Sequence, residues 1–308
     1  MSSDSANLPR SGVALWMRTV RAPFVTASAM PALLGALAAY GNAGVFRVDR
    51  FLLTMAGVIC VHLGANVAND YYDYKTGADR LNREPTPFSG GSRVIPEGLV
   101  SPPAALAVAI TLLGVGLIVA LTLNSIIPGN KVILLGVAGI LCGVLYTATP
   151  VNLSYRGLGE IFLFVAFGPL TVMGAYLCQT GEMSTYAFLV SIPAGLLVLA
   201  ILLVNEVLDL EWDARAGKRT LIVRLGKGRA YRLFLTAYLG AFVSIAALIA
   251  GGLLNPWAGL ALIPPAFTLR QLLPVRALAN RPALINASRL AIITQVVATT
   301  ILAVSYLI

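Results

Sequence analysis

Charge is what this sequence has least of. Asp, Glu, Lys and Arg make up 11% of its 308 residues, against about a quarter in an ordinary soluble domain. Histidine occurs once, as His62. With 58% hydrophobic residues and a mean hydropathy of +0.83, the chain is excluded from the water-soluble class and reads as an integral membrane protein. Cysteine is scarce as well. Cys60, Cys142 and Cys178 stand singly in or beside apolar runs, with no CxxC and no metal-ligand spacing, so they are small hydrophobes and no cysteine-ligated metal centre is expected. The net charge of +9 does not point to nucleic acid. The basic residues are confined to short loops between apolar runs, where membrane orientation accounts for them.

What the sequence does have is long apolar runs. At about 20 residues per crossing, nine stretches qualify, near 22–41, 51–72, 104–124, 131–148, 160–179, 187–209, 232–252, 256–273 and 288–308. The expected fold is a single all-α polytopic bundle over 1–308. The polar N-terminal stretch, with Arg10, Arg18 and Arg21, leads into a run long enough to span, so the first helix is read as retained, not as a cleaved signal peptide. Of the 22 Lys and Arg, all except Arg47, Arg50 and Lys131 lie at the N-terminus or in the loops after helices two, four, six and eight. The positive-inside rule puts the N-terminus and these loops in the cytoplasm and the C-terminus outside. Apart from Asp4, Asp49 and Glu182, the acids lie in or beside the same loops. The loop after helix eight, near Arg270 to Arg289, is basic without acids and reads as a cytoplasmic anchor.

Two stretches break the apolar pattern. In HLGANVANDYYDYKTGAD, Asn66, Asn69, Asp70 and Asp73 recur at i, i+3, i+4 and i+7, which is one face of a helix, at a membrane edge. A solvated helix end would tolerate them. A cation site explains why polar groups are placed where they are expensive, and oxygen donors of this kind suit Mg2+, which binds through one or two carboxylates plus water and substrate phosphate. The loop that follows carries Pro85, Pro87, Gly90, Gly91, Pro96 and Gly98, enough turn formers to fold over a site. In NEVLDLEWDARAGKRT, at the end of helix six, Asn205, Asp209 and Asp213 are spaced by four and flanked by Glu206 and Trp212. Asn205-x3-Asp209 repeats the spacing of Asn69-x3-Asp73 on the same side of the membrane. This suggests an internal duplication, with halves near 22–148 and 160–308, and one cavity with two metal-binding walls that grip a diphosphate. Lys218 and Arg219 follow the second motif, either as phosphate ligands or as topology signals.

These paired motifs, NDYYD with its downstream Asp and DLEWD followed by AGKRT, resemble the two aspartate-rich motifs of the UbiA-type membrane prenyltransferase superfamily over nearly the whole chain. NDYYDYKTGAD, SGG and the YTATP…YRGLGE loop are most similar to the 1,4-dihydroxy-2-naphthoate polyprenyltransferases of menaquinone biosynthesis. The resemblance implies that two Mg2+ ions are bound, one by Asn69, Asp70 and Asp73 with Asp79 as a further acid, the other by Asp209 and Asp213 with Asn205 assisting. It implies transfer of a polyprenyl group from a polyprenyl diphosphate to an aromatic acceptor, in a bacterial plasma membrane, with the active site facing the cytoplasm. Two departures stand out. Six positions separate Asp73 from Asp79, where several relatives use four. Asn205, Glu206, Val207, Leu208 and Asp209 replace an Asn-Asn-x-Arg-Asp pattern, which loses an arginine.

In this reading Asp73 and Asp209 are catalytic through the metals, Lys218, Arg219 and Asn66 face the diphosphate, and Arg156 pairs either with the diphosphate or with an acceptor carboxylate. Tyr146 either shields the allylic cation with its ring face or anchors helix four at the interface; Tyr71, Tyr72 and Phe162 are weaker candidates for the same role. His62, one turn before Asn66, is a hydrogen-bonded interior histidine or a base for the ring hydroxyl. Gly57, Gly64, Gly136, Gly139, Gly143, Gly168 and Gly174 permit close helix approach or leave room for the prenyl tail. Other acceptors (4-hydroxybenzoate, homogentisate, chlorophyllide or haem) stay open. A secondary transporter fits less well, since its ligands belong near the bilayer midplane on broken helices.

Overall fold

The computed structural model describes residues 12–272 and 280–308, and among them every regular element is helical. Arg10, and residues 273–279 of the basic loop after helix eight, lie outside the described residues. A short helix, α1 (Val13–Thr19), leaves Val13, Trp16 and Met17 exposed, a composition suited to a membrane interface. Arg21 then adopts a left-handed conformation and a 3-10 turn over Ala22–Val25 leads into α2 (Thr26–Ala43). The first motif helix, α3 (Val48–Thr76), stops at Gly77, whose φ of 93° a side chain would disfavour. The four-residue α4 (Ala78–Leu81) turns back from it.

Ser101 caps α5 (Pro102–Ile126), which begins on two prolines whose missing N–H groups cost nothing there. Next come α6 (Lys131–Leu145), a 3-10 turn at Leu153–Arg156 and α7 (Gly159–Val165). A π-helical turn over Ala166–Leu170, containing Pro169, joins α7 to α8 (Thr171–Thr180). Proline cannot donate into the helical ladder, and one turn of wider winding accommodates it. The second motif helix is α9 (Thr185–Arg215), followed by α10 (Leu221–Leu225), α11 (Lys227–Ala250), a 3-10 segment Pro256–Leu262, α12 (Ile263–Leu272) and α13 (Arg281–Val304).

Seven of the helical segments are long and apolar enough to cross a membrane, and α6 is an eighth apolar helix of shorter length. The remaining expected crossing, 256–273, is divided between the 3-10 segment and α12, with Pro264 and Pro265 at the join. Both motif helices run further than their apolar runs suggest. They carry Asp73 and Asp213 in continuous helix beyond the expected ends at 72 and 209.

The largest core joins α2, α8, α9, α11 and α13 through Leu34, Leu197, Leu203, Phe234, Tyr238 and Leu302. Small residues set the helix distances. A Cβ on Gly35 would lie 2.2 Å from the Val172 carbonyl oxygen, so α2 and α8 meet backbone to backbone. A second cluster is more consequential for the site. Val94, Ile95 and Val100 of the loop after α4 pack on Val67, Ala68, Ala105 and Ala109 of α3 and α5, which pins that loop across the end of the bundle. Ile110, Ile118, Leu134, Ile161 and Val243 are exposed, an outward apolar surface that hydrocarbon would satisfy.

Candidate active site

The two motif helices open onto one cavity at the end of the bundle where the loop after α4 crosses. Asn66, Asn69 and Asp73 of α3, Asp79 of α4, Asn205, Asp209 and Asp213 of α9, and Lys218 all line it. Tyr146 and Phe162 form part of its apolar wall with Phe167.

Asp73 is the most heavily engaged acid. Its Oδ2 accepts from Lys218 Nζ at 2.9 Å and from Asn69 Nδ2 at 3.4 Å, and its Oδ1 accepts from the Tyr155 hydroxyl at 3.0 Å. Lys218 also stands 3.9 Å from Asp213 Oδ1, so one ammonium ties the two motifs together. Burial pushes its pKa down, but Asp213 and Asp73 outweigh this and hold it well above the usual lysine value. Asp209 is clasped by the loop: Asn82 Nδ2 donates to its Oδ1 at 3.0 Å and Gly90 N–H to its Oδ2 at 2.9 Å.

Asp70 faces the loop side of α3. Its Oδ2 accepts from Ser92 N–H at 3.1 Å, Arg21 lies 3.8 Å from its Oδ1, and it is absent from the cavity lining. Four residues at i, i+3, i+4 and i+7 therefore cover two adjoining surfaces, the cavity and the underside of its lid. Asp79 reaches the same place despite its six-residue spacing, because Gly77 ends α3 and lets α4 fold back. A Cβ built on Gly91 would lie 2.7 Å from Asp79 Oδ2 and 3.1 Å from Asp70 Oδ1, so the two carboxylates close on a position only glycine fits. Burial, and then the charges of Asp73 and Asp70, raise the Asp79 pKa well above the carboxylate range.

Three buried oxygens here, Asp70 Oδ1, Asp79 Oδ2 and Asn205 Oδ1, have no hydrogen-bond partner. Unpartnered carboxylate and amide oxygens are the donors a hard divalent cation takes. Among the described residues no group of three or more His, Cys, Asp or Glu side chains is arranged to hold a metal ion.

Two expected ligands are elsewhere. Arg156 is exposed and donates to the Pro150 carbonyl oxygen at 2.9 Å, outside the cavity. Arg219 is exposed too. After α9, Gly217 has φ 74° and the Lys218 N–H returns to the Asp213 carbonyl oxygen at 2.8 Å, which turns Lys218 inward and leaves Arg219 on the outside. Asn66 lines the cavity, but its Nδ2 donates to the Val20 carbonyl oxygen at 3.3 Å, holding α3 to the segment before α2. Tyr71 and Tyr72 stack edge to face on each other away from the cavity.

Several lining residues carry no motif. Arg21, Phe24, Asn82 and Phe88 belong to this group, Glu206 joins them from the flank of the second motif, and Tyr155 supports Asp73 from behind. Arg21 reads in sequence as one more topology charge; its left-handed backbone, φ 54°, is what aims it at the site.

Beyond this polar end lies an apolar chamber, which shares His62, Ala65, Gly143, Ala166 and Phe167 with the cavity. His62 is buried at the junction, with Nδ1 2.7 Å from Ser28 Oγ and its ring edge on Phe167. The glycines divide by role. A Cβ on Gly57, Gly64, Gly136, Gly143 or Gly168 would meet a neighbouring helix at 2.8 to 2.9 Å, whereas Gly139 has nothing within 4 Å and opens onto the chamber.

Comparison with known proteins agrees with this geometry. The UbiA prenyltransferase family model matches residues 28–292. The chain is 30% identical to the 1,4-dihydroxy-2-naphthoate octaprenyltransferase of Mycobacterium tuberculosis, over 86% of this chain and 87% of that one. It is 29% identical to the Bacillus subtilis enzyme of the same name, over 80% and 76%. A solved UbiA homologue from Archaeoglobus fulgidus, bound to GPP and Mg2+, superposes with a TM-score of 0.64 at 18% identity, covering 93% of this chain and 99% of that one. This chain belongs to the UbiA prenyltransferase family, membrane-embedded enzymes that transfer prenyl groups.

Proposed function

We propose that the chain catalyses Mg2+-dependent transfer of a polyprenyl group from an allylic polyprenyl diphosphate to 1,4-dihydroxy-2-naphthoate. The allylic carbon–oxygen bond breaks, a carbon–carbon bond forms to the ring, and the ring loses its carboxyl group as CO2. The product is the naphthoquinol form of demethylmenaquinone. The observation that carries this reading is the convergence of Asp73 from α3 with Asp209 and Asp213 from α9 on one cavity, continuous with an apolar chamber. The names of the relatives and the GPP and Mg2+ bound to the Archaeoglobus protein support it.

In this proposal Asn69, Asp70, Asp73 and Asp79 hold one Mg2+, and Asn205, Asp209 and Asp213 hold a second. When bound, the ions supply the positive charge against which diphosphate departs. Lys218 and Arg21 add fixed cationic charge on the same side. Tyr146, Phe162 and Phe167 exclude water and offer ring faces to the allylic cation. The chamber takes the tail in hydrocarbon.

The further expectations of nine crossings, a cytoplasmic N-terminus and a plasma-membrane location belong to the same proposal. So does the duplication near 22–148 and 160–308, which is favoured by the way each motif helix packs on the long helix after it, α3 on α5 and α9 on α11. A transfer assay in detergent tests the reaction, with Mg2+, labelled polyprenyl diphosphate and a panel of acceptors that includes 4-hydroxybenzoate. A prenylated, decarboxylated naphthoquinol is expected. Product with a different ring keeps the transfer chemistry and replaces the acceptor, and no product with any ring from folded protein overturns the reading.

A further inference from the structure

Two buried acids at this end of the bundle belong to neither metal set. Glu206 lines the cavity from α9 and is 7% exposed; Glu160, on α7, is 3% exposed. Glu160 is fixed in place. Its Oε1 accepts from the Leu221 N–H at 2.6 Å. It follows Gly159, where a Cβ would come within 2.7 Å of the Tyr146 ring, so that ring lies against the start of α7. Helix α7 packs on α9, and Oε2 of Glu206 and of Glu160 each lack a hydrogen-bond partner among the described residues. Buried carboxyl oxygens without a donor are costly, and an incoming donor to Glu206 Oε2 would relieve that cost.

The position favours an aromatic ring over a third cation. Along α9, Glu206 comes three residues before Asp209, about 4.5 Å deeper along the helix axis, at the level of Asn205. The same cavity wall includes the apolar side chains Tyr146, Phe162, Ile201 and Leu202, and the lid loop reaches Asp209 instead. A ring attacking the allylic carbon must lie on the apolar side of the diphosphate, at this depth.

Resting on the function proposed above, we infer that Glu206, backed by Glu160, forms the subsite that accepts a hydrogen bond from a ring hydroxyl of the acceptor and holds the ring against Tyr146. The acceptor class is then a ring with a free hydroxyl, and the subsite selects for it.

Binding to the full-length protein in detergent tests this without turnover. Two titrations are run, one with geranyl diphosphate and Mg2+, the other with 1,4-dihydroxy-2-naphthoate and its di-O-methyl ether in the presence of Mg2+ and a non-hydrolysable geranyl diphosphate analogue. Wild type is expected to bind the dihydroxy ring about tenfold more tightly than the ether. Glu206→Leu should lose that preference while keeping geranyl diphosphate affinity within twofold. Glu206→Gln, whose amide oxygen still accepts, should keep most of it, and it keeps the test decisive if the leucine variant fails to fold. An unchanged preference in Glu206→Leu, or a loss of Mg2+-dependent diphosphate binding instead, overturns the subsite alone. Wild type that binds no geranyl diphosphate with Mg2+ overturns the underlying function, and the subsite with it.

Discussion

Asp73 holds Lys218, Asn69 and Tyr155 at once, so the variant chosen decides what a loss of activity means. Alanine would strand the Lys218 ammonium beside Asp213 alone, and breaking a buried pair costs about 3–5 kcal/mol. Asp73→Asn keeps a carbonyl oxygen for Tyr155 or Lys218 and removes the charge a metal needs. Transfer should fall about 100-fold or more, with the detergent melting temperature within a few degrees of wild type. Full activity would remove Asp73 from the metal set. Gly91 gives a second residue-scale test. Alanine there meets the Asp79 and Asp70 carboxylates and a φ of 70°, while Gly98, in the same loop at φ 71°, has nothing within 4 Å. Gly98→Ala should cost roughly 1–2 kcal/mol from backbone strain with transfer nearly intact. Gly91→Ala should add overpacking of about 1–3 kcal/mol and lose transfer. Equal behaviour of the two would mean that Asp70 and Asp79 do not close around Gly91. At this scale the sequence was informative where chemistry and spacing coincide, as for Asp73, Asp209 and Asp213. It was silent where a single backbone angle decides. Arg219 and Lys218 are adjacent and chemically alike, and only the turn at Gly217 sends one inward and the other out.

Helices were the most legible level, because a membrane demands unbroken apolar runs, and among the described residues seven of the nine runs fall on long helices while 131–148 and 256–273 do not. Their ends were less legible. Asp73 and Asp213 are polar residues in continuous helix, since tertiary partners replace the solvent a helix end would otherwise seek. The fold-back of α4, which brings Asp79 in, depends on one left-handed glycine and leaves no periodicity to read. The same holds for the glycines along the chamber. Spacing alone gives Gly136, Gly139 and Gly143 one shared face of α6, yet two of them touch a neighbouring helix and Gly139 faces open space. If the chamber holds the tail, Gly139→Phe fills it from the α6 side without displacing backbone. Short donors such as geranyl diphosphate should retain their KM within about twofold, while long polyprenyl diphosphates lose about tenfold or more in kcat/KM, on the scale of a few methylenes excluded from an apolar pocket. Equal use of both donors by Gly139→Phe would move the tail elsewhere.

The whole molecule is asymmetric across the membrane. Among the described residues the cavity, its lid and most charged side chains gather at one end, while the opposite end carries Arg47, Asp49, Lys131 paired with Glu182, and Arg50 bonded to the Cys178 and Gln179 carbonyl oxygens. In the function proposed here, a prenyl diphosphate from the cytoplasm reaches Asp73 and Asp209 directly only if this end faces inward. The lid end includes Arg224, Lys227 and Arg229 beside exposed Gly228, and the opposite end includes exposed Pro128 between α5 and α6. With Cys60, Cys142 and Cys178 replaced by alanine, Pro128→Cys should react with a membrane-impermeant maleimide on intact spheroplasts. Gly228→Cys should react only after permeabilisation, because basic loops are retained on the cytoplasmic side. The reverse pattern would place the aspartates outside, away from any cytoplasmic prenyl diphosphate, and the function proposed here would then need a donor delivered through the membrane.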